Sequence, residues 1–315
     1  MFRQREILCK IVTFGSVNID IVAHSNKLPA PGETIHADRA EIGLGGKGGN
    51  QAVAAAQLGH TSVLVSQTGT DEFAAIARTR LEKFGVDCTH VGTDPEANTG
   101  LALIGVDAKG ENTITVIGGA NMTITADALT GFDAAIEGAD VLLMQLEIPL
   151  PVVCEAARRA RAHGIPVVID PAPVPHRGLD AALFTLATVM TPNETETEKL
   201  IGLRPHDRDS AAEAAGLFHA RGLDNIIIKL GSRGVFWSTG TQDGFVQPFS
   251  VKAIDSVAAG DSFNGGLATA LAEGLALGDA VRFAAACGAL ATTRKGAAEA
   301  APSRAEVDAL LAGQP

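Results

Sequence analysis

The sequence predicts an α/β fold: a mostly parallel central sheet with helices on both faces, plus a small antiparallel β lid. Three observations carry this. Short, nearly unbroken apolar runs recur at 11–15, 62–66, 140–144 (DVLLM), 165–169 (IPVVI) and 225–230 (NIIIKL), and such runs belong to parallel strands covered on both faces. Stretches with helical spacing separate them, and strand–helix alternation is the mark of βαβ units. Two segments, about 19–42 and 99–117, break that rhythm with strand-like patterns joined by polar turns.

In chain order, 11–15 is an apolar strand that stops at Gly15. Residues 48–58 are Ala-rich and stop at Gly59, a helix with a glycine terminator. A strand at 62–66 and a helix at 71–84, closed by Gly85, repeat the unit. GLALIGVD and NTITVIG flank a turn at Ala108, Lys109 and Gly110, the hairpin of the lid. The strands at 140–144 and 165–169 enclose a helix at 151–163, and helices at 260–271, 277–293 and 304–311 follow the strand at 225–230. No linker, low-complexity stretch or repeat interrupts the 315 residues. The expectation is one domain, 1–315, carrying a lid.

Charge and composition exclude several classes. The net charge is −11, with 46% hydrophobic and 19% charged residues. Such a chain repels nucleic-acid phosphates unless it has a basic patch; Arg158, Arg159 and Arg161 read as the solvated face of a helix. The four cysteines (Cys9, Cys88, Cys154, Cys287) form no C-x-x-C pair and the eight histidines no H-E-x-x-H, which argues against structural or catalytic zinc. The opening MFRQREILCKIVTFG is interrupted by Glu6 and Lys10 and lacks a small-residue cleavage site, so it does not read as an export signal. No apolar run is long enough to span a bilayer. A soluble, cytoplasmic protein without nucleic-acid or membrane partners is expected.

Three polar constellations stand out. GLGGKGGN (43–50) places Gly43, Gly45 and Gly48 at G-x-G-x-x-G spacing, but charged HADRAEI precedes it and no acidic residue follows about 20 positions on, so a dinucleotide site is disfavoured. A Walker loop is excluded because Gly48 follows Lys47. A close-approach loop bearing Lys47 and Asn50 remains, balanced against a plain helix-entry turn. Asn18 and Asp20, two apart on extended backbone, share a face and suit adjacent hydroxyls; a polar turn is the simpler alternative. In DSVAAGDSFNGG (255–266), small residues lead into a helix with Asp261 in its first turn. Free N–H groups there attract an anion, and an adjacent acid can take a proton from an attacking hydroxyl. Asp261 acting only on its helix dipole is the alternative.

The ordered segments GSVNID, GGKGGNQA, LMQLE, DPAP, TPNETE, LGSRG and AAGDSFNG resemble the ribokinase-like (PfkB) carbohydrate kinases over nearly the whole chain. GSVNID with GGKGGNQA and LMQLE is most similar to members that phosphorylate D-ribose at its 5-hydroxyl. The resemblance implies Asp261 as general base, with an anion hole from the backbone of Ala258, Ala259 and Gly260. It implies sugar contacts from Asn18, Asp20, Gly46, Lys47, Asn50 and Glu147. ATP contacts fall on Asn193, Lys229, Gly231, Ser232, Gly234 and Gly260. Asn193 and Glu196 match the N-x-x-E motif that organises Mg²⁺ through water; a simple helix cap is the alternative reading of these two. Asp255 and Val257 fall at the family's K⁺ site. The lid would cover the sugar and pair two chains in a homodimer.

Two departures bear on those expectations. Ala300 stands where the family often has serine, which bears on the K⁺ site, and small residues at 285–288 stand where relatives often carry His or Asn near the adenine. The same chemistry on 2-deoxyribose, a fructose-type sugar or adenosine is the nearest alternative. A dinucleotide-dependent oxidoreductase and a non-catalytic sugar-binding protein are the readings from other classes.

Overall fold

The computed structural model describes residues 8–125 and 129–314; the reading of the first residues as no export signal lies mostly outside them. Nine strands form the main sheet. Seven are parallel: β1 (Lys10–Phe14), β4 (Thr61–Thr68), β5 (Val86–Thr93), β8 (Val141–Met144), β9 (Val167–Ile169), β10 (Val189–Met190) and β11 (Asn225–Lys229). An antiparallel hairpin, β12 (Val235–Ser238) and β13 (Asp243–Val246), closes one edge. The spatial order is β13-β12-β11-β10-β9-β8-β1-β4-β5. The chain therefore leaves β1 first toward β4 and β5, then returns to its other side at β8. That reversal opens a crevice beyond the carboxyl ends of the strands, where open α/β sheets bind ligands.

The apolar runs are continuous because alternate residues feed two different cores. Val12, Leu142, Met144, Val167, Ile169, Ile226 and Ile228 face one layer. It is covered by α3 (Leu129–Ile136), α4 (Leu150–Ala162), α5 (Ala181–Leu186) and α7 (Arg208–His219). Ile11, Val141, Leu143, Val168 and Ile227 face the other, against α8 (Ala259–Ala272), α9 (Leu277–Ala291) and α10 (Arg304–Gly313). The expected helices fall where their spacing placed them. The strands that spacing did not reveal are β5, β10, β12 and β13: the edge strand β5 alternates polar with apolar residues, and β10, β12 and β13 have only two to four residues each. Arg158 and Arg159 pair with Glu155, and Arg159 also with Asp133, on the outer face of α4.

The lid is a separate four-stranded sheet, β3-β2-β6-β7, built from β2 (Asn18–His24), β3 (Arg39–Gly45), β6 (Gly100–Val106) and β7 (Asn112–Ile117). Two antiparallel pairs, β2/β3 and β6/β7, meet along a parallel central pair, β2/β6. The β6–β7 turn is the expected one: Asp107 Oδ1 accepts from Lys109 N–H and Glu111 N–H, with Gly110 at φ 83°. Ile19 and Leu44 anchor the lid's base in a third cluster shared with α1 (Lys47–Gln57) and α2 (Glu72–Lys83).

α8 is the keystone of the crevice, because α1 and α9 both press against it. A Cβ on Gly265 would lie 2.5 Å from Ala54 Cβ and 2.9 Å from the Gln51 carbonyl oxygen; one on Gly266 would lie 2.6 Å from Cys287 Sγ. Gly265→Val is expected to force α1 and α8 apart and cost about 2–3 kcal/mol by overpacking. Denaturant unfolding monitored by circular dichroism measures this; an unchanged midpoint would show that the contact relaxes freely.

Candidate active site

The polar groups singled out in the sequence converge beyond the carboxyl ends of β1, β8, β9, β10 and β11. Immediately after β1 comes Gly15-Ser16-Val17, and the glycine loop lies on it. Gly46 has φ 82°, and a Cβ there would meet Asn18 N at 2.7 Å; a Cβ on Gly48 would meet Ser16 N at 2.6 Å. These glycines are required by close backbone approach. Glu147, just past β8, fastens the two segments: its Oε2 accepts from Ser16 Oγ and from Lys47 N–H at 3.0 Å. The carboxylate thereby sits at the amino end of α1, whose own first turn has no acid. The glycine loop leaves lid strand β3, which pairs antiparallel to β2. It does not follow a parallel strand of the main sheet, as a dinucleotide loop would.

Asn18 and Asp20 lie on one face of β2, as their spacing requires. Asn121, in the turn after β7, fixes the polarity of Asn18. Its Oδ1 accepts from Val17 N–H at 2.9 Å, so its Nδ2 must donate, to Val17 O at 3.0 Å and to Asn18 Oδ1 at 2.8 Å. With its Oδ1 engaged as acceptor, Asn18 keeps its own N–H₂ as a donor. Asp20 is the complementary acceptor. Burial, then the negative charges of Glu147, Glu299 and Asp261, push its carboxyl up to about 6.

At the centre, Asp261 in the first turn of α8 is only 5% exposed. Asn50 Nδ2 donates to its Oδ2 at 3.0 Å and Gln51 Nε2 to its Oδ1 at 2.9 Å. Burial pushes its carboxyl above the usual range; Lys47 opposes this, Asp170 adds to it, and the two amides favour the anion. Lys47 is itself opposed by burial, but Asp261, Asp170, Glu147 and Glu196 outweigh that and hold it firmly charged. Asp170, just past β9, pairs with Lys229 Nζ at 3.2 Å.

The start of α8 is shaped for an anion. Ala258 sits at φ 55°, a rare left-handed conformation for a residue with a side chain. Ser262 N–H is bonded to Ala258 O at 2.9 Å and Ala259 N–H reaches Ser256 O at 3.3 Å. Gly260 and Asp261 carry first-turn N–H groups without an accepting backbone partner among the described residues. Lys229 Nζ lies 3.7 Å from where a Gly260 Cβ would be. Gly288 of α9 backs this turn, since a Cβ there would approach Ala259 O to 3.1 Å. Gly288, in the small-residue stretch 285–288, thus has a packing reason.

The remaining expected residues flank this centre. Asn193 caps α6 (Glu194–Ile201) in a reciprocal box with Glu196: Glu196 N–H donates to Asn193 Oδ1, and Asn193 N–H and Nδ2 donate to the Glu196 carboxylate. The cap reading of this pair is therefore true of its backbone. Gly231, Ser232 and Gly234 form the turn between β11 and β12, with both glycines at positive φ. Asp255 Oδ1 accepts from Val257 N–H at 3.0 Å and its Oδ2 from Gly296 N–H at 3.4 Å, fastening 255–257 to the segment after α9. Ala300 lies fully buried beyond that segment. Among the described residues no group of three or more His, Cys, Asp or Glu side chains is placed to hold a metal ion.

Sequence reasoning missed Ser16, Gln51, Asn121, Gln145 and Asp170. Gln51, Gln145 and Asp170 stand inside GGNQA, LMQLE and DPAP, but nothing in those segments says which side chains will meet. A cavity of about 500 Å³ along β13, lined by Trp237, Phe245, Phe249 and Arg282 among others, includes none of these site residues.

Residues 9–304 match the family described as pfkB family carbohydrate kinase. The ribokinase of Haemophilus influenzae is 40% identical over 296 residues, 94% of this chain and 96% of that one. The deoxyribokinase of Salmonella typhi is 34% identical over 293 residues, 93% and 95% of the two chains. The structure of Arabidopsis thaliana ribokinase complexed with ribose and ATP superposes with a TM-score of 0.88 at 29% identity, covering 97% of this chain and 99% of that one.

The raised pKa of Asp20 has a stability consequence. The folded state binds the proton more tightly than the unfolded chain, so stability falls as pH rises from about 4 to 6. Asp20→Asn is therefore expected to stabilise the fold by about 1–2 kcal/mol at pH 8, with the gain fading as pH falls from about 6 to about 4. Thermal unfolding of both proteins across this range measures it; a pH-independent difference would mean that Asp20 is not held near 6.

Proposed function

The chain belongs to the pfkB family of carbohydrate kinases, and from this we propose that it transfers the γ-phosphate of ATP to the 5-hydroxyl of D-ribose, giving ribose 5-phosphate and ADP. The observation that carries the reading is the buried Asp261 carboxylate, oriented by Asn50 and Gln51 beside the open first turn of α8. Asp261 takes the proton of the hydroxyl as its oxygen attacks phosphorus. The backbone N–H groups around Ala258, Ala259 and Gly260 receive the charge on the phosphoryl oxygens, and Lys47 and Lys229 add positive charge at the same place. Asn18 donates to and Asp20 accepts from ribose hydroxyls, with Gly46, Asn50 and Glu147 completing the sugar side. Asn193, Gly231, Ser232 and Gly234 serve the nucleotide.

Asn193 and Glu196 offer the oxygen donors that suit Mg²⁺, and their mutual bonds leave lone pairs free for water-mediated contact. Mg²⁺ on ATP would neutralise phosphate charge. A K⁺ ion would rest on carbonyls near Asp255 and Val257, where the loop is already tied to 296; Ala300 offers no side-chain oxygen to it. The lid leaves Ile42, Leu103 and Ile117 exposed on one face and Ile114 and Val116 on the other, which supports a homodimer through this sheet. The lid would also exclude water from the sugar. No helix among the described residues is long and apolar enough to cross a membrane; a cytoplasmic location fits a kinase that uses ATP.

The deoxyribokinase relative supports a second substrate, 2-deoxyribose. ADP release with D-ribose, 2-deoxyribose, fructose and adenosine, each with and without K⁺, decides between them. Preference for ribose supports the first reading, and preference for deoxyribose moves the substrate while keeping the chemistry. Asp261→Asn is expected to lower kcat about a thousandfold with little change in ribose KM; a near-normal rate would remove Asp261 as base. Light scattering is expected to give twice the chain mass, falling to one on Ile114→Glu; an unchanged mass would place the dimer contact elsewhere.

A further inference from the structure

We propose that Gln51 is a positioning residue of the phosphoryl-transfer centre, holding the Asp261 carboxylate against Asp170 and, through Asp170, linking the base to Lys229 on the nucleotide side. The inference rests on Asp261 being the base.

Ionised carboxylates only accept hydrogen bonds, and two of them facing each other repel. Gln51 Nε2 lies between this pair, 2.9 Å from Asp261 Oδ1 and 3.0 Å from Asp170 Oδ2, so each of its two N–H bonds serves one carboxylate. Its orientation is set by the two carboxylates, which only accept. Gln145 Nε2 donates to Gln51 Oε1 at 2.6 Å. A flipped Gln51 would aim its oxygen at two anions and its N–H₂ at the donor of Gln145. Gln51 and Gln145 are fully buried and Asp170 is 2% exposed, so water does not substitute for these bonds. Gly15 belongs to the same arrangement: a Cβ there would lie 1.9 Å from Gln145 Oε1. Five separated segments therefore meet in one chain of bonds.

The far end of the chain reaches the nucleotide. Asp170 Oδ1 pairs with Lys229 Nζ, which stands beside the first turn of α8 and over the Phe263 ring at 5.9 Å. Phosphates arriving at that turn compete with Asp170 for the ammonium. As Lys229 turns to them, Asp170 loses part of its counter-charge and weighs more heavily on Asp261 across the shared amide. The proton affinity of the base then rises when ATP is in place. The other charged groups facing Asp261 are Lys47 from α1 and Asp20 from β2; Glu147 and Glu196 act on Lys47.

The test is the pH dependence of kcat with saturating ribose and MgATP, in wild type, Gln51→Leu, Asp170→Asn and Lys229→Met, each checked for folding by circular dichroism. Asp170→Asn removes an anion and is expected to move the acid limb down by about half to one pH unit. Lys229→Met removes a cation and moves it up. Gln51→Leu also moves it up and lowers kcat about tenfold or more, while ribose KM stays within about threefold. An acid limb fixed within about 0.2 units in the folded variants, with Gln51→Leu kcat within about twofold of wild type, overturns the proposal. If Gln51→Leu does not fold, opposite shifts in Asp170→Asn and Lys229→Met support it and their absence overturns it. Asp261→Asn separates the two failures. An active Asp261→Asn sinks the base itself, whereas an inactive one beside unmoved profiles sinks only the linkage.

Discussion

Two carboxylates, Asp170 and Asp261, are buried on either side of one glutamine amide, and the centre is arranged around making that tolerable. A lone buried anion would take up a proton instead. Here each receives a hydrogen bond from Gln51, Lys229 pairs with Asp170, and Lys47 adds positive charge near both. The balance is local and dry. Every helix and strand end that delivers one of these groups must therefore be placed to within the reach of a hydrogen bond.

The fold supplies that placement through close backbone approach. Gly46 and Gly48 bring α1 onto the turn after β1, Gly265 brings α8 onto α1, and Gly288 brings α9 onto the start of α8. Side chains at these positions would hold the same elements apart. These glycines thus act mainly as contacts between secondary structures. Ala258, at φ 55°, is held at its carbonyl by Ser262 N–H.

Most of the architecture was legible because its signal is local. Continuous apolar runs marked the strands buried on both faces, and glycine stops marked the ends of α1 and α2. Asn18 with Asp20 could be placed on one face from the two-residue period alone. The unread strands, β5, β10, β12 and β13, lie at edges or are too short to show a period. At the site, the segments carrying Asp261, Lys47, Asn193 and Lys229 could be recognised, but their partners could not. Gln51 and Gln145 are 94 positions apart and Asn18 and Asn121 103 apart, and no spacing rule connects them. The donor direction of Asn18 follows only from the backbone N–H of Val17 that pins Asn121. Asn193 and Glu196 show the opposite case, since their cap was readable and is present whether or not a metal binds beside it.

The docking of α8 against α1 spans most of the chain, and this orders events during synthesis. Asn18, Asp20 and Asn50 and the buried amides of Gln51 and Gln145 all lie in the first 150 residues. Asp261 arrives more than a hundred residues later, and long-range contacts of this kind form late. A chain still emerging from the ribosome thus holds the amides of Asn50 and Gln51 well before it holds the carboxylate they bind. On the proposed role of Asp261 as base, a truncated chain lacking α8 has no group there to take a hydroxyl proton.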